Sequence, residues 1–463
     1  MNVNRRIILS LIFVSALFLM LVTYLVYFNH FRASGVTERL AGWNIQDDEA
    51  RILRGRIYSA DGVVLAYTEP IDGGTNVRRY PHRELYSGVI GYSSAQYGRT
   101  QLELSFNRQL MGRGGLNLTF DDVRRGFDLH LTLDHELQQL ANELLRGRNG
   151  AVVAIEPSSG RILAMASNPN FDPHNDALLR NWDSLIDDPN SPLLPRATQG
   201  LYAPGSAFKI ITAAAAFEAG MHDRTFNDTG AFNRGGINVR NHNNVAFGEI
   251  DLPRAFAVSS NYVFCYIGYS LGAAAISDVA GRFGVGTPLD FDIPTEQSRL
   301  GYDVAVMTAA DSALVSIGQG RLLVTPLHMA MITATVANNG RMMRPFLVER
   351  ATNDVGLPMF TSRQRAHSRP INVATAAYLT ELMELAVTDG TGSAARIDGV
   401  RVAGKTGTAE NDGALAAHAW FVGFAPVENP QIAVAVVLEH SGGTGGALAA
   451  PIARDVMRQY LAR

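Results

Sequence analysis

Residues 7–28 carry no charged side chain, and that run decides where the rest of the chain can fold. As a helix its 22 residues span about 33 Å, enough to cross the hydrocarbon core of a bilayer. Arg5 and Arg6 precede it, and Tyr24 and Tyr27 stand near its far end, where amphipathic rings favour the membrane interface. Positive charge collects on the cytoplasmic side, which puts residues 1–6 there; Arg32 on the other side is followed by Asp47, Asp48 and Glu49. A cleaved signal peptide is the competing reading. The apolar run is too long for a signal core, and no clear small-x-small site follows it. The expectation is a single-pass anchor in the cytoplasmic membrane, with everything beyond it extracytoplasmic.

At 463 residues the chain suggests about two to three domains. Apolar residues make up 47% and the net charge is −3, so a folded core is expected and no basic surplus points to nucleic acid. The single cysteine, Cys265, rules out an intramolecular disulfide; it lies in an apolar run and is expected to be a buried structural thiol. The eleven histidines form no His-Glu-x-x-His or Cys/His cluster, so neither metal nor cofactor is expected.

Residues 33–146 form a turn-rich module. Arg54-Gly55-Arg56-Ile57-Tyr58 and residues 62–67 read as strands joined at Ala60-Asp61, and Arg79-Tyr80-Pro81 follows a Gly-Gly turn. No acid, base or nucleophile cluster stands out there. Asp134 can cap a helix with a Leu137, Leu140, Leu144 stripe that Gly147 ends. A second domain, 150–463, opens on two apolar strands around Pro157-Ser158-Ser159-Gly160. A long Pro-rich segment then leads to Ser206, and so long a loop suggests function. From Ser206 to about Ala219 the chain is nearly all apolar after Lys209, so a buried helix is expected. Asp251 and Pro253 mark a short helix, and Thr325 and Pro326 open another that Asn338-Asn339-Gly340 closes. Gly318-Gln319-Gly320 reads as backbone architecture. The end of the chain reads as an antiparallel sheet, strands at 402–409, 419–424 and 432–438, with a closing helix at 451–461.

Ser206 stands three residues before Lys209, about one helical turn, so hydroxyl and amine share a face. A serine beside an amine that can take its proton is a nucleophile–base pair. The helix start also offers backbone N–H groups and a positive dipole end to a developing oxyanion. Ser-x-x-Lys alone is a common spacing. This chain adds an internal control: of its 40 Lys and Arg residues only Lys209 and Lys405 are lysine. Arginine cannot lose its proton in a protein, whereas a desolvated lysine can. Lysine at those two positions therefore points to chemistry that needs an amine. Lys405 opens Lys-Thr-Gly-Thr, which as an edge strand could pair with an extended peptide, with Gly407 admitting a close backbone approach.

Taken together, Ser206-x-x-Lys209, Ser259-x-Asn261 and Lys405-Thr406-Gly407 resemble the three motifs of penicillin-recognising serine enzymes. The flanks, Pro204-Gly205-Ser206-Ala207-Phe208-Lys209, Gly318-Gln319-Gly320 with Thr325-Pro326-Leu327, and Thr408-Ala409-Glu410, resemble class B penicillin-binding proteins. Arg54-Gly55-x-Ile57, Arg79-Tyr80-Pro81 and Leu102-Glu103 match the family's N-terminal module, of the short penicillin-binding protein A type. Two departures stand out: Ser59-Ala60 where Asp-Arg is usual, and Pro195 where Asn usually precedes Arg-Ala.

The resemblance implies an α+β fold. A penicillin-binding/β-lactamase-like domain, an antiparallel sheet flanked by helices plus a helical subdomain, follows the transmembrane helix 7–28 and a β-rich, dimerisation-like pedestal. It implies a peptidoglycan D,D-transpeptidase that cross-links stem peptides through a serine acyl-enzyme and is acylated by β-lactams. Ser206 would be the nucleophile, Lys209 its base, and Ser259 and Asn261 the leaving-group relay and amide holder. Lys405, Thr406, Gly407 and Thr408 would receive the terminal carboxylate, and the backbone N–H groups of Ser206 and Thr408 the oxyanion. The proton path among Ser206, Lys209 and Ser259 stays open. Alternatives are a D,D-carboxypeptidase or β-lactamase-type hydrolase, for which no placed carboxylate activates water, and a non-catalytic sensor or scaffold. About 120 residues separate the anchor from the second domain, too few for a glycosyltransferase. A separate membrane glycan polymerase of the SEDS type, with other cell-wall machinery, is the implied partner.

An unperturbed lysine is neutral only about once in 2,500 at pH 7, so burial must lower its pKa before it can act. Lys209→Arg keeps charge and reach but cannot give up a proton. It is expected to slow penicillin acylation as severely as Lys209→Ala, measured by stopped-flow labelling; a near-normal rate in the Arg variant would remove Lys209 as the base.

Overall fold

The computed structural model describes residues 3–27, 52–71, 76–112, 125–410 and 415–463, with side chains for 11–24 in the first segment. The Gly-Gly turn before Arg79, the start of the pedestal up to residue 51 and the turn at 411–413 lie outside the described residues. The apolar run forms one helix, Val3–Tyr27, and its side chains from Leu11 to Tyr24 are exposed. A second helix, Asn261–Arg282, is apolar and long enough to cross a membrane. Its Val263, Phe264, Cys265 and Ile267 are fully buried in the main core, so it is a core helix, and Cys265 is the buried thiol expected.

Five antiparallel strands form the central sheet, in the order Ala403–Ala409, His418–Ala425, Ile432–Leu438, Gly150–Ile155, Ile162–Asn168. These strands are apolar on both faces, and both faces are covered. Ala151, Val153, Trp420 and Val422 pack into one core with the helices Lys209–Glu218 and Pro326–Ala337. Val152, Ala154, Ala419 and Phe421 pack into another with the helices His135–Leu145 and Gly445–Leu461. A fully buried valine or phenylalanine here, such as Val153 or Phe421, contributes about 1.5–3 kcal/mol. The Lys405 strand is the sheet edge, as expected, with Lys405 opposite Val422 and Gly407 opposite Trp420.

Capping positions were legible. Asp134, Asp251 and Thr325 each accept a backbone N–H at the helix starts predicted for them. Two details differ. The buried stripe of His135–Leu145 is Leu137, Ala141 and Leu145, with Leu140 and Leu144 half-buried, because the sheet meets the i, i+4, i+8 line. The closing helix begins at Gly445, six residues before Pro451; Thr444 caps it, and Pro451 lies inside it.

Among the described residues, the pedestal sheet has six strands in the order Pro358–Thr361, Val348–Thr352, Asp128–Leu131, Ile57–Tyr58, Val64–Glu69, Val77–Arg79. Its first two strands come from beyond residue 340, so the N-terminal module and the second domain share one sheet. Ser59, one of the departures, accepts the Val63 N–H at 2.9 Å and closes the turn between the strands at 57 and 64.

The pedestal core contains an ion triad that sequence reading missed. Glu103 is fully buried and receives Arg54 Nε at 2.5 Å and Arg78 Nε at 2.7 Å. Arg54 also reaches Asn107 Oδ1 at 2.6 Å, and Arg78 reaches the Gly55 carbonyl at 2.7 Å. Burial alone would raise the Glu103 carboxyl; the two guanidiniums more than reverse that and hold it down at about 2. A depressed carboxyl stabilises the fold above its ordinary value of 4.5, and that contribution is lost as pH falls toward about 2. Glu103→Gln leaves two cations buried without a counter-charge. It is expected to cost about 3–5 kcal/mol, seen as a lowered thermal midpoint at pH 7. An unchanged midpoint would show that the triad does not hold the pedestal together.

Candidate active site

Ser206 lies on a single 3-10 turn, Gly205–Phe208, which passes directly into the α-helix Lys209–Glu218. Three residues per turn stack Lys209 directly above Ser206, closer to eclipsed than an α-helix would allow. The turn is clamped from several sides. Gly205 has φ +53°, and a Cβ there would lie 2.6 Å from the Thr408 carbonyl oxygen. Its N–H donates to the Gly318 carbonyl at 3.0 Å, and a Cβ on Gly318 would fall 1.9 Å from the Gly205 oxygen. The Gly-Gln-Gly segment is therefore backbone architecture, as expected. Trp420 Nε1 donates to the Ala203 carbonyl at 3.0 Å, and Tyr202 pairs its backbone with Val324. Arg196, just after Pro195, is buried and ion-paired to Glu439 at 2.9 Å, and Glu439 also accepts the Tyr202 hydroxyl.

The structure brings the three motifs together. Lys209 Nζ donates to the Ser259 carbonyl at 2.8 Å, Asn261 Oδ1 at 2.8 Å and Ser259 Oγ at 3.3 Å. Lys405 Nζ donates to Ser259 Oγ at 2.9 Å and to the Thr406 carbonyl at 3.1 Å. One hydroxyl thus bridges the only two lysines of the chain. Both amines are fully buried, each beside an aromatic ring: Lys209 is 5.3 Å from the Phe264 centroid and Lys405 is 5.5 Å from that of Phe256. Ser259 sits at φ +61°, a left-handed conformation that a non-glycine residue keeps only when its surroundings hold it there.

Gly407 admits a close approach, but the approaching backbone is the protein's own. Its Cβ position lies 2.5 Å from the Pro204 carbonyl oxygen and 3.1 Å from Ala207 N. The edge strand therefore lies flush against the Ser206 turn. Thr406 is buried, its hydroxyl 2.6 Å from that of Thr391, and Thr408 Oγ1 accepts the Gly445 N–H at 3.4 Å. Thr391, Asp228 and Asn241 belong to the site's surroundings and escaped sequence reading. Each sits in an ordinary turn-like string, and nothing in its spacing reports the long-range contact.

Burial pushes the Lys209 amine down to about 7, against smaller upward pulls from Cys265 and Asp228. Burial also drives Lys405 well below its ordinary range, and repulsion from Lys209 adds to it. A neutral Lys209 can accept a proton, and this pocket makes the neutral form accessible near physiological pH.

A lysine-bearing edge strand flush against a Ser-x-x-Lys turn is the architecture of a β-lactam-recognising acyl-transfer fold. Residues 150–458 match the penicillin binding protein transpeptidase domain, and residues 54–127 match the penicillin binding protein A dimerisation domain. The peptidoglycan D,D-transpeptidase PbpA of Mycolicibacterium smegmatis is 35% identical, covering 93% of this chain and 94% of the relative. The penicillin G acyl-enzyme complex of penicillin-binding protein A from M. tuberculosis superposes with a TM-score of 0.82 at 34% identity, covering 89% of this chain and all of that one. A D,D-transpeptidase domain from Eggerthella lenta gives 0.82 at 35% identity, over 89% of this chain and 99% of that one. The chain belongs to the penicillin-binding protein transpeptidase family.

With Lys209 as the expected base, its lowered pKa sets a pH dependence. An amine that must be neutral becomes competent as pH rises through its pKa, so acylation by penicillin should increase through about pH 7 and level off above it. A rate constant that stays flat between about pH 5.5 and 8.5 would contradict this role.

Proposed function

We propose that this chain is a peptidoglycan D,D-transpeptidase working through a Ser206 acyl-enzyme and inactivated by β-lactams. The observation that carries the reading is the convergence of Lys209, Ser259 and Lys405 beside the Ser206 turn. It occurs on a fold whose solved relatives include a penicillin G acyl-enzyme complex.

In this reading Lys209 takes the Ser206 hydroxyl proton as Ser206 Oγ attacks the carbonyl between two terminal D-alanines of a stem peptide. The oxyanion forms against the backbone N–H groups of Ser206 and Thr408; in support, the two segments pack closely, since a Cβ on Gly205 would lie 2.6 Å from the Thr408 carbonyl oxygen. The C–N bond breaks, and the leaving amine takes a proton through Ser259, whose hydroxyl already bonds both amines. Asn261 holds the peptide amide, and Lys405, Thr406 and Thr408 receive the terminal carboxylate along the edge strand, with Gly407 keeping that strand close to Ser206. An acceptor amine from a neighbouring stem then attacks the ester, gives its proton back along the same path and frees Ser206.

The helix Val3–Tyr27, with exposed apolar side chains, serves in this reading as the membrane anchor, and Arg5 and Arg6 keep the N-terminus inside. Residues 33–146 act as pedestal and 150–463 as a monofunctional transpeptidase domain. Cross-linking needs glycan strands, so a SEDS-type membrane polymerase is the proposed partner.

Fluorescent penicillin should label the purified chain covalently, and Ser206→Ala should abolish the label. Labelling that survives this change would place the nucleophile elsewhere. Intact mass after exposure to a D-Ala-D-Ala stem peptide, with and without an acceptor amine, separates transfer from hydrolysis. A cross-linked product is expected with the amine; free acid alone would point to a carboxypeptidase.

A further inference from the structure

Asp228 ends the strand Thr225–Asp228 and is 1% exposed. Its partners are neutral. It accepts the Gly230 N–H at 2.8 Å, the Asn241 amide at 2.9 Å on each oxygen, and the Ser260 hydroxyl at 2.6 Å. A buried carboxylate needs such a full set of donors, and this set leads straight to the middle of the Ser259–Asn261 motif.

Two arms run from the carboxylate. Ser260, tied to Asp228, also caps the helix Asn261–Arg282 by accepting the Val263 N–H at 3.1 Å. It stands between Ser259 and Asn261 and restrains both. The second arm is Asn241. A carboxylate only accepts, so it turns the Asn241 NH2 toward itself and leaves Oδ1 pointing the other way. That oxygen receives the backbone N–H groups of Asn261 at 2.8 Å and Tyr262 at 3.0 Å. The neighbouring Arg240 carbonyl takes Asn261 Nδ2 at 2.9 Å, which leaves Asn261 Oδ1 facing Lys209. The left-handed backbone of Ser259 is thus held from the following residue.

We propose that Asp228 is a positioning residue for acyl transfer. It holds Ser259 and Asn261 against Lys209 through Ser260 and Asn241. The inference rests on the Ser206 acyl-enzyme reading above. Among the described residues, the charged or titratable groups that act on the Lys209 amine are Cys265 on the helix Asn261–Arg282 and, more weakly, the Asp228 carboxylate, which both favour its protonated form, and Lys405 on the edge strand, which is repelled by it.

The test is the pH dependence of fluorescent-penicillin acylation in the full chain, for wild type, Asp228→Asn and Ser260→Ala. Asp228→Asn keeps shape but loses charge and an acceptor. Its plateau rate should fall by about tenfold to a hundredfold through misplacement of the motif, and its acid limb should move to lower pH, because Lys209 loses a counter-charge. Ser260→Ala removes one arm and keeps the carboxylate, so its plateau should fall while the acid limb stays in place. A purely structural role would lower the melting point without moving the acid limb. A folded Asp228→Asn chain with the wild-type rate and limb overturns the proposal. If Asp228→Asn does not fold, Ser260→Ala decides: slower acylation in a chain that still melts cooperatively supports it, and a wild-type rate overturns it. A wild-type chain that takes no label overturns both this proposal and the acyl-enzyme reading.

Discussion

Two amines buried around one hydroxyl are the constraint on which the rest of this structure depends. Neither Lys209 nor Lys405 touches solvent, and both bond to Ser259 Oγ. Each charged form is penalised by desolvation, and together they repel. The surrounding fold has to hold that arrangement against relaxation. It does so with rigid parts: an apolar helix under Lys209, a sheet edge under Lys405, and a helix start beneath Ser259 and Asn261. Rigid elements place reacting groups more accurately than loops do.

The same logic explains where the glycines fall. A side chain on Gly205 or Gly318 would collide with neighbouring backbone, and one on Gly407 would meet the Pro204 carbonyl. These contacts bring the Ser206 turn and the edge strand to within one peptide of each other. The site is thus shaped by close backbone packing, and polar side chains are placed on that frame. Farther away, the pedestal sheet takes two strands from the second domain and buries the Arg54–Glu103–Arg78 triad. Pedestal and catalytic region are tied through hydrogen-bonded backbone, which resists rotation between them better than a linker would.

Much of this is legible in the chain alone. Local signals were sufficient for Asp134, Asp251 and Thr325 as caps, because a cap bonds within its own first turn. The closing helix starts at Gly445, ahead of the expected 451, because its cap is Thr444 and Pro451 lies inside it. Asp228, Asn241, Thr391 and the pairing of Glu103 with Arg54 and Arg78 were invisible for a common reason. Each works through partners about 13 to 49 residues away, and sequence spacing carries no trace of such pairs.

By itself, the sequence determined the chemistry on offer. A chain written in arginine with lysine at two positions, each inside a short motif, already demanded an amine at both. It also determined the uncharged run 7–28 and the apolar strands, because hydrophobic patterning is local. Only the tertiary structure decided that the two amines share one hydroxyl, that burial carries Lys209 to about 7, and that Asp228 stands behind the Ser259–Asn261 motif. A pKa depends on solvent exclusion and on charges brought near by folding, and neither exists until distant segments pack together.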